Sequence, residues 1–225
     1  MQVANVDQMS GGRVELGLGA GWYDDEHESA GIPFPSVGER FDRLEEQFAI
    51  VDGLWTTPIG ESFSYDGTHY RLDNSPALPK PVQSAGYRQS IPLIVGGSGK
   101  RRTPALAARY ATEFNLPFGS LDAFVAARQR VIDACVAVDR DPSTVTFSAA
   151  LVVALGNDEN AYARRAAAID RQPDELRDNG IAGTPDEVRS GLERWQQAGA
   201  ERVYLQVLDL ADLDHLDEIA AAVAG

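Results

Sequence analysis

Apolar positions recur at two spacings along the chain, and the change from one to the other lays out its elements. Residues 13–19 carry Val14, Leu16 and Leu18 between a Gly11-Gly12 turn and Gly19-Ala20-Gly21-Trp22, the pattern of a short buried strand. From residue 39 to 55, Phe41, Leu44, Phe48, Val51 and Trp55 return every three or four positions and so share one face of a helix. Pro58, Pro76, Pro79 and Pro81 deny a regular helix to residues 56–90, which are expected to form a long irregular excursion. Ile91-Pro92-Leu93-Ile94-Val95 predicts a strand stopped by Gly96-Gly97-Ser98-Gly99, with a helix over 103–110 and a further strand over 112–116. Leu121, Phe124, Val125, Arg128, Val131, Ile132, Cys135 and Val138 trace the next helix, with Cys135 on its apolar face as a core residue rather than a nucleophile.

Residues 144–155, rich in Val and Ala, predict a strand, and Asp158 is placed to cap the alanine-rich helix after it. Thr184-Pro185-Asp186-Glu187 starts another helix, with a capping threonine, proline in the first turn and glutamate placed to close a capping box. That helix is expected to bury Val188, Leu192 and Trp195 and to stop at Gly199, ahead of a last strand over 202–208 and a closing helix over 213–223. Strand and helix alternate, which calls for parallel strands joined by crossover helices. Five such strands are visible, and both a doubly wound open sheet and a (β/α) barrel fit them.

Composition narrows the function classes. At 225 residues the chain reads as one domain, 1–225, with the excursion at 56–90. A net charge of −14 offers no basic footprint, so neither nucleic acid nor an anionic membrane is an expected partner. With Cys135 as its one cysteine, the chain can form no intrachain disulfide and no cysteine zinc cluster. Residues 1–7 have neither the basic start nor the apolar run of a signal peptide, and no segment reaches membrane-spanning length, so a cytoplasmic location is expected.

Six stretches together carry a family likeness. Arg13-Val14-Glu15-Leu16-Gly17-Leu18-Gly19-Ala20-Gly21-Trp22, then Asp24-Asp25-Glu26 with Ala30-Gly31-Ile32-Pro33-Phe34, and Gly38-Glu39-Arg40-Phe41-Asp42-Arg43-Leu44-Glu45-Glu46 follow in order. Pro79-Lys80-Pro81-Val82-Gln83, Ile91-Pro92-Leu93-Ile94-Val95-Gly96-Gly97-Ser98-Gly99 and Gly183-Thr184-Pro185 come after them. Together they resemble the luciferase-like monooxygenase family, and its deazaflavin (coenzyme F420)-dependent branch in particular. The resemblance implies an α/β fold, a TIM-like (β/α) barrel of the bacterial luciferase type. A full barrel takes about 250 residues, and the family carries three strand–helix units ahead of the segment matching residues 13–19. The expected barrel is therefore incomplete at its N-terminus, and its open strand edge favours a partner chain, a homodimer.

The same resemblance implies an oxidoreductase acting on a small-molecule substrate, with coenzyme F420 as hydride carrier. FMN-dependent monooxygenation, or a shortened relative that binds a flavin without turning it over, are the alternatives. In a barrel, ligands sit at the carboxyl ends of the strands. Gly96, Gly97, Ser98, Gly99 and Lys100 are the leading cofactor-binding candidates, because glycines let backbone N–H groups approach a phosphate and the next helix presents its positive end. Ser98 and Thr103 add hydroxyl donors, and Lys100, Arg101 and Arg102 add charge; a solvated strand-to-helix turn is the plain reading of the same residues. Gly19, Gly21 and Trp22 are candidates for admitting a flat ring or, equally, for a turn and core packing; Asn115 and Asp209 complete the rim. Asp24, Asp25, Glu26, His27 and Glu28 point in different directions at consecutive spacing and are expected to form a solvated acidic loop, not a metal site. His69 and His215 have no evident catalytic partners in sequence and are expected to be surface or structural residues, which leaves the catalytic acid or base unassigned. Residues 56–90 are a candidate lid over the rim.

Overall fold

The structure, a computed structural model, describes residues 1–83 and 90–224. Two compact units divide the chain: Met1–Glu113 with Val131–Val145, and Phe114–Arg130 with Thr146–Gly225.

The first unit opens with helix α1 (Gln2–Ser10), strand β1 (Leu16–Leu18), a short helix α2 (Asp24–Ser29) and the long helix α3 (Val37–Thr56). Ser36 Oγ accepts the Glu39 N–H at 3.3 Å, so α3 begins at Val37, two residues ahead of its first expected position. Leu44, Phe48 and Trp55 are the expected residues that α3 buries. Strands β2 (Phe63–Asp66) and β3 (Arg71–Ser75) pair antiparallel, so the excursion expected over residues 56–90 contains a hairpin; its residues 84–89 lie outside the described residues. The alternating partly buried and exposed positions of β2 are the period-2 signal that the flanking prolines obscured.

The hairpin turn is tied down by one side chain. The Glu46 carboxylate on α3 accepts the N–H groups of Thr68 at 2.8 Å, His69 at 3.1 Å and Tyr70 at 2.9 Å. Burial pushes its pKa up, but the three backbone donors outweigh burial and hold it below the usual carboxylate range. Asp7, fully buried on α1, accepts from Val82 N–H and Gln83 Nε2, each at 2.8 Å, and so ties residues 82 and 83 to the start of the chain.

Strand β4 (Leu93–Gly96) pairs in parallel with β1, in the register Leu16↔Leu93, Gly17↔Ile94, Leu18↔Val95. Helix α4 (Arg102–Tyr110) follows, then β5 (Glu113–Pro117) and α5 (Leu121–Val136), within both of which the division between the units falls. Phe124, Ala127, Val131 and Cys135 are buried on α5, as the period expects for most of them, whereas Val125 and Val138 are exposed. Arg140, in the first unit, donates to the carbonyls of Ala107, Ala108 and Ala111 and closes the end of α4.

The second unit is organised by β6 (Thr146–Leu155). Besides its neighbour β5, its ten residues serve two parallel strands in turn: residues 148–152 pair with β8 (Arg202–Gln206), and residues 153–155 with β7 (Ile181–Gly183). Helices α6 (Glu159–Ala168), α7 (Pro173–Asn179), α8 (Pro185–Gln197) and α9 (Leu213–Ala224) complete the unit. Asp158 caps α6 by accepting from Ala161 N–H at 2.8 Å, and the Thr184–Glu187 capping box of α8 is formed. Val152, Ala154, Tyr162, Ala166, Leu176 and Ala182 make a core in which burial pushes the Tyr162 phenol up to about 12 while its hydroxyl donates to Pro173 O. Strand β7 is short and buried at every position, with no alternation to detect, while helix α7, also missed, opens on Pro173-Asp174-Glu175, the same proline and acidic first turn as α8 but without a capping threonine.

Candidate functional site

Two loops of the first unit meet at the carboxyl ends of β1 and β4. A Cβ built on Gly19 would stand 3.7 Å from the Gly96 carbonyl oxygen, so the Gly19-Ala20-Gly21-Trp22 loop lies beside the Gly96-Gly97-Ser98-Gly99-Lys100 loop. Sequence reasoning assigned both to one rim, and the fold brings them together.

The second loop is built on two glycine positions that a side chain would disturb. Gly97 adopts φ +137°, a conformation closed to residues with a Cβ, and at Gly99 a Cβ would fall 2.5 Å from Thr103 Oγ1. Thr103 is buried beneath the loop, while Ser98, Gly99 and Lys100 are exposed above it. Helix α4 starts at Arg102 with no side-chain cap and no acidic residue in its first turn, which leaves its positive end turned outward. Of the basic residues next to the loop, Arg102 is committed elsewhere: it donates to Glu45 and Asp42, each at 2.6 Å, and to Gly38 O at 3.1 Å. Hydrogen bonding to Glu45 raises its pKa further. Lys100 and Arg101 are exposed beside the loop.

The first loop is held from α3. Arg40 donates from Nε to Ala20 O at 3.1 Å and from Nη1 to Pro35 O at 2.5 Å, and its guanidinium lies 3.8 Å over the Phe34 ring. Phe34 packs on His27 at 4.6 Å, and the backbone of Gly21 runs against both rings. Trp22 is 81% exposed and rests on Tyr23 at 5.3 Å, so it fills no core. Asp24, Asp25, Glu26, His27 and Glu28, expected as a loop, form helix α2, which buries none of its residues. Among the described residues no group of three or more His, Cys, Asp or Glu side chains is gathered as a metal site would need, and no helix is long and apolar enough to cross a membrane.

Asn115 belongs to β5 in the second unit, where its amide donates to the buried Ser148 hydroxyl at 2.8 Å. Asp209 accepts from Ala211 N–H at 3.0 Å and shapes the turn before α9. His215, read from sequence as surface or structural, is 3% exposed, and its Nε2 accepts the Leu155 N–H at 2.9 Å. Burial, with the Arg165 charge behind it, lowers the His215 pKa against the opposing pull of Asp212, Glu218 and Asp209. Sequence reasoning named Arg40 within a motif and gave it no role; its partners Ala20 and Pro35 sit at no fixed helical or strand spacing from it, so no local pattern announces the contact.

Comparison with known proteins adds to this geometry. A family model described as luciferase-like monooxygenase matches residues 1–178. The FMNH(2)-dependent dimethylsulfone monooxygenase of Pseudomonas putida is 32% identical over 108 residues, 48% of this chain and 28% of that protein. An F420-dependent glucose-6-phosphate dehydrogenase of Microbacterium testaceum (strain StLB037) is 35% identical over 108 residues, 48% of this chain and 29% of that protein. The chain thus spans less than a third of the length of these two curated relatives. Among solved structures, an F420-dependent secondary alcohol dehydrogenase in complex with an F420-acetone adduct superposes with a TM-score of 0.80 at 20% identity, covering 98% of this chain and 73% of that one. The EDTA monooxygenase (EmoA) from Chelativorans sp. BNC1 gives 0.77 at 17% identity, covering 99% and 68%. These likenesses show the fold: the strands and helices are those of a (β/α) barrel, part of which this chain supplies.

Proposed function

Because this chain belongs to the luciferase-like monooxygenase family, we propose that it is a two-electron oxidoreductase that holds coenzyme F420, or in a second reading FMN, at the rim formed by its two glycine loops. The observation that carries the reading is the loop from Gly96 to Lys100. Gly97 at φ +137°, the close approach of Gly99 to Thr103 and the uncapped start of α4 are features that suit a phosphate oxygen. Gly96, Gly97, Ser98, Gly99, Lys100 and Thr103 would hold the phosphate; Gly19, Gly21 and Trp22 would face the ring. Asn115, fixed by Ser148, is a candidate for a polar contact at the end of β5. When bound, the deazaflavin supplies hydride chemistry, whereas reduced FMN supplies the two electrons of a monooxygenation.

The chain's own contribution is binding and orientation. Backbone N–H groups and the Ser98 hydroxyl fix the phosphate, Lys100 balances its charge, and the exposed Trp22 is free to close on a ring that arrives beside Gly19. The second reading is favoured by the dimethylsulfone monooxygenase, which is FMNH(2)-dependent and matches about as well as the F420-dependent dehydrogenase. The substrate is a small molecule, the assembly a homodimer and the location the cytoplasm in this reading. Titration of the purified chain with F420 and, separately, with FMN, followed by fluorescence, tests it. Micromolar binding of one of them, abolished by Gly97→Asp, is the expected result; a folded chain that binds neither overturns the reading. Sedimentation equilibrium tests the dimer, which a monomer at micromolar concentration would overturn.

A further inference from the structure

Arg40 stands behind the rim rather than on it. Its guanidinium reaches back from the first turn of α3 to two carbonyls, Ala20 O at 3.1 Å and Pro35 O at 2.5 Å, at opposite ends of the connection between β1 and α3. The Cζ of the same group lies over the Phe34 ring, 3.8 Å from its centroid. Phe34 in turn packs on His27, and His27 Nδ1 is 2.9 Å from Tyr23 O. One side chain therefore fixes both ends of a connection that otherwise has only the short helix α2 for regular structure.

The same stretch of α3 fixes the other loop. Arg102, the first residue of α4, is pinned to Gly38 O, Asp42 and Glu45, which lie on either side of Arg40 along the helix. Residues 38–45 thus act as a ruler: one mark holds the Gly19 loop through Arg40, and the other holds the helix that follows the Gly96 loop.

From this we infer that Arg40 is a positioning residue that sets the Gly19-Ala20-Gly21-Trp22 loop against the phosphate loop, so that a ligand with a phosphate at one end and a flat ring at the other finds both contacts in place. The role rests on the reading of the rim as a flavin or deazaflavin site. A ligand with two anchor points gains affinity from the fixed distance between them, because ordering the second loop costs nothing at the moment of binding. A ligand that uses only the phosphate loop gains nothing from Arg40. Lysine cannot replace the residue: it is a point charge that neither forks to two carbonyls nor stacks on a ring in the way a guanidinium does.

The test compares the wild-type chain with Arg40→Lys and with Phe34→Leu, which removes the stacking surface and leaves the hydrogen bonds. Three quantities are measured: affinity for FMN and F420, inhibition of that binding by inorganic phosphate, and hydrogen exchange of the backbone amides over residues 19–23. For Arg40→Lys the expected result is cofactor binding weakened about tenfold, an unchanged inhibition constant for phosphate and faster exchange over 19–23, with Phe34→Leu between it and wild type. Equal cofactor affinity in wild type and Arg40→Lys overturns the positioning role and leaves the cofactor reading intact. So does equal weakening of cofactor and phosphate, which marks a general loss of the site. A folded wild type that binds neither cofactor overturns the reading and the role together.

Discussion

Thr103 is the residue on which the loop from Gly96 to Lys100, the proposed phosphate site, closes. It is 2% exposed, and its Oγ1 occupies the space a side chain at Gly99 would need. Gly99→Ala sets a methyl group 2.5 Å from that oxygen, and because the threonine is buried the strain must pass into the loop, at a cost of about 1–3 kcal/mol. Urea unfolding measures it, and Thr103→Ala in the same chain should recover part of the loss, since neighbouring sites couple. Non-additivity between the two substitutions is the expected signature; simple addition would show that the loop does not rest on Thr103. The glycines of this loop are legible in sequence because a Gly-Gly-Ser-Gly run after an apolar strand leaves few other conformations open. Trp22 was not legible in the same way: a tryptophan after a glycine turn fits a pocket wall or a core equally well, and only the fold places it 81% exposed.

At the scale of elements, two helices are held by charged side chains in ways that local patterns do not announce. The end of β6 is gripped at its last peptide groups, where His215 Nε2 accepts the Leu155 N–H and Arg165 donates to Leu155 O at 2.8 Å. Arg165 also pairs with Asp212 at 2.7 Å and Glu218 at 2.5 Å, and Asp212 Oδ1 accepts the N–H of His215. An Nε2 that accepts a hydrogen bond carries no proton, so the folded imidazole is neutral. With its folded pKa below the ordinary 6.5, the unfolded chain binds the proton first as pH falls. The stabilisation is therefore whole above about pH 6.5 and drains away below it, at up to about 1.4 kcal/mol per pH unit, until the folded pKa is reached. Unfolding free energies measured from pH 8 to 5 should show this decline, and His215→Gln, which keeps an acceptor and loses the titration, should flatten it. An unaltered slope in the variant would place the pH dependence elsewhere. Arg165→Met leaves two carboxylates and a carbonyl without their donor and should cost about 3 kcal/mol by the same assay.

Most elements follow from apolar period, caps and breakers: α3, α5, α6 and α8 were each visible as a face, a cap or both, and α4 and α9 by their place after a strand. What escaped is short or paired at a distance. The hairpin β2–β3 was masked by prolines on both sides, and it rests on Glu46, a carboxylate more than twenty residues away whose partners are backbone N–H groups. No spacing rule reaches that far. Helix α2 was masked for another reason: four carboxylates around one histidine read as a solvated loop, and the carboxylates are exposed, yet in helical form.

For the whole molecule, alternation of strand and helix specifies parallel α/β architecture and stops there, because barrel and open sheet share it. Motif order along residues 13–46 and 79–99 separated the two, and the solved structures bear the barrel out. The net charge of −14 leaves Lys100 and Arg101 as a local basic spot at the phosphate loop of an acidic protein. In the proposed reading an anionic cofactor would be drawn to that spot against the field of the rest, so raising salt should change its affinity little, the two contributions being screened together. Titration at 50 mM and at 500 mM salt checks this, and a tenfold loss at high salt would instead mean that the basic residues dominate.

A crystal structure of the chain grown with FMN or F420 shows directly where a phosphate sits. The predicted result is a phosphate group within hydrogen-bond distance of backbone N–H groups between Gly97 and Thr103, with the ring system toward Gly19 and Trp22. A cofactor found with its phosphate elsewhere, and the Gly96 to Lys100 loop facing solvent, would contradict it.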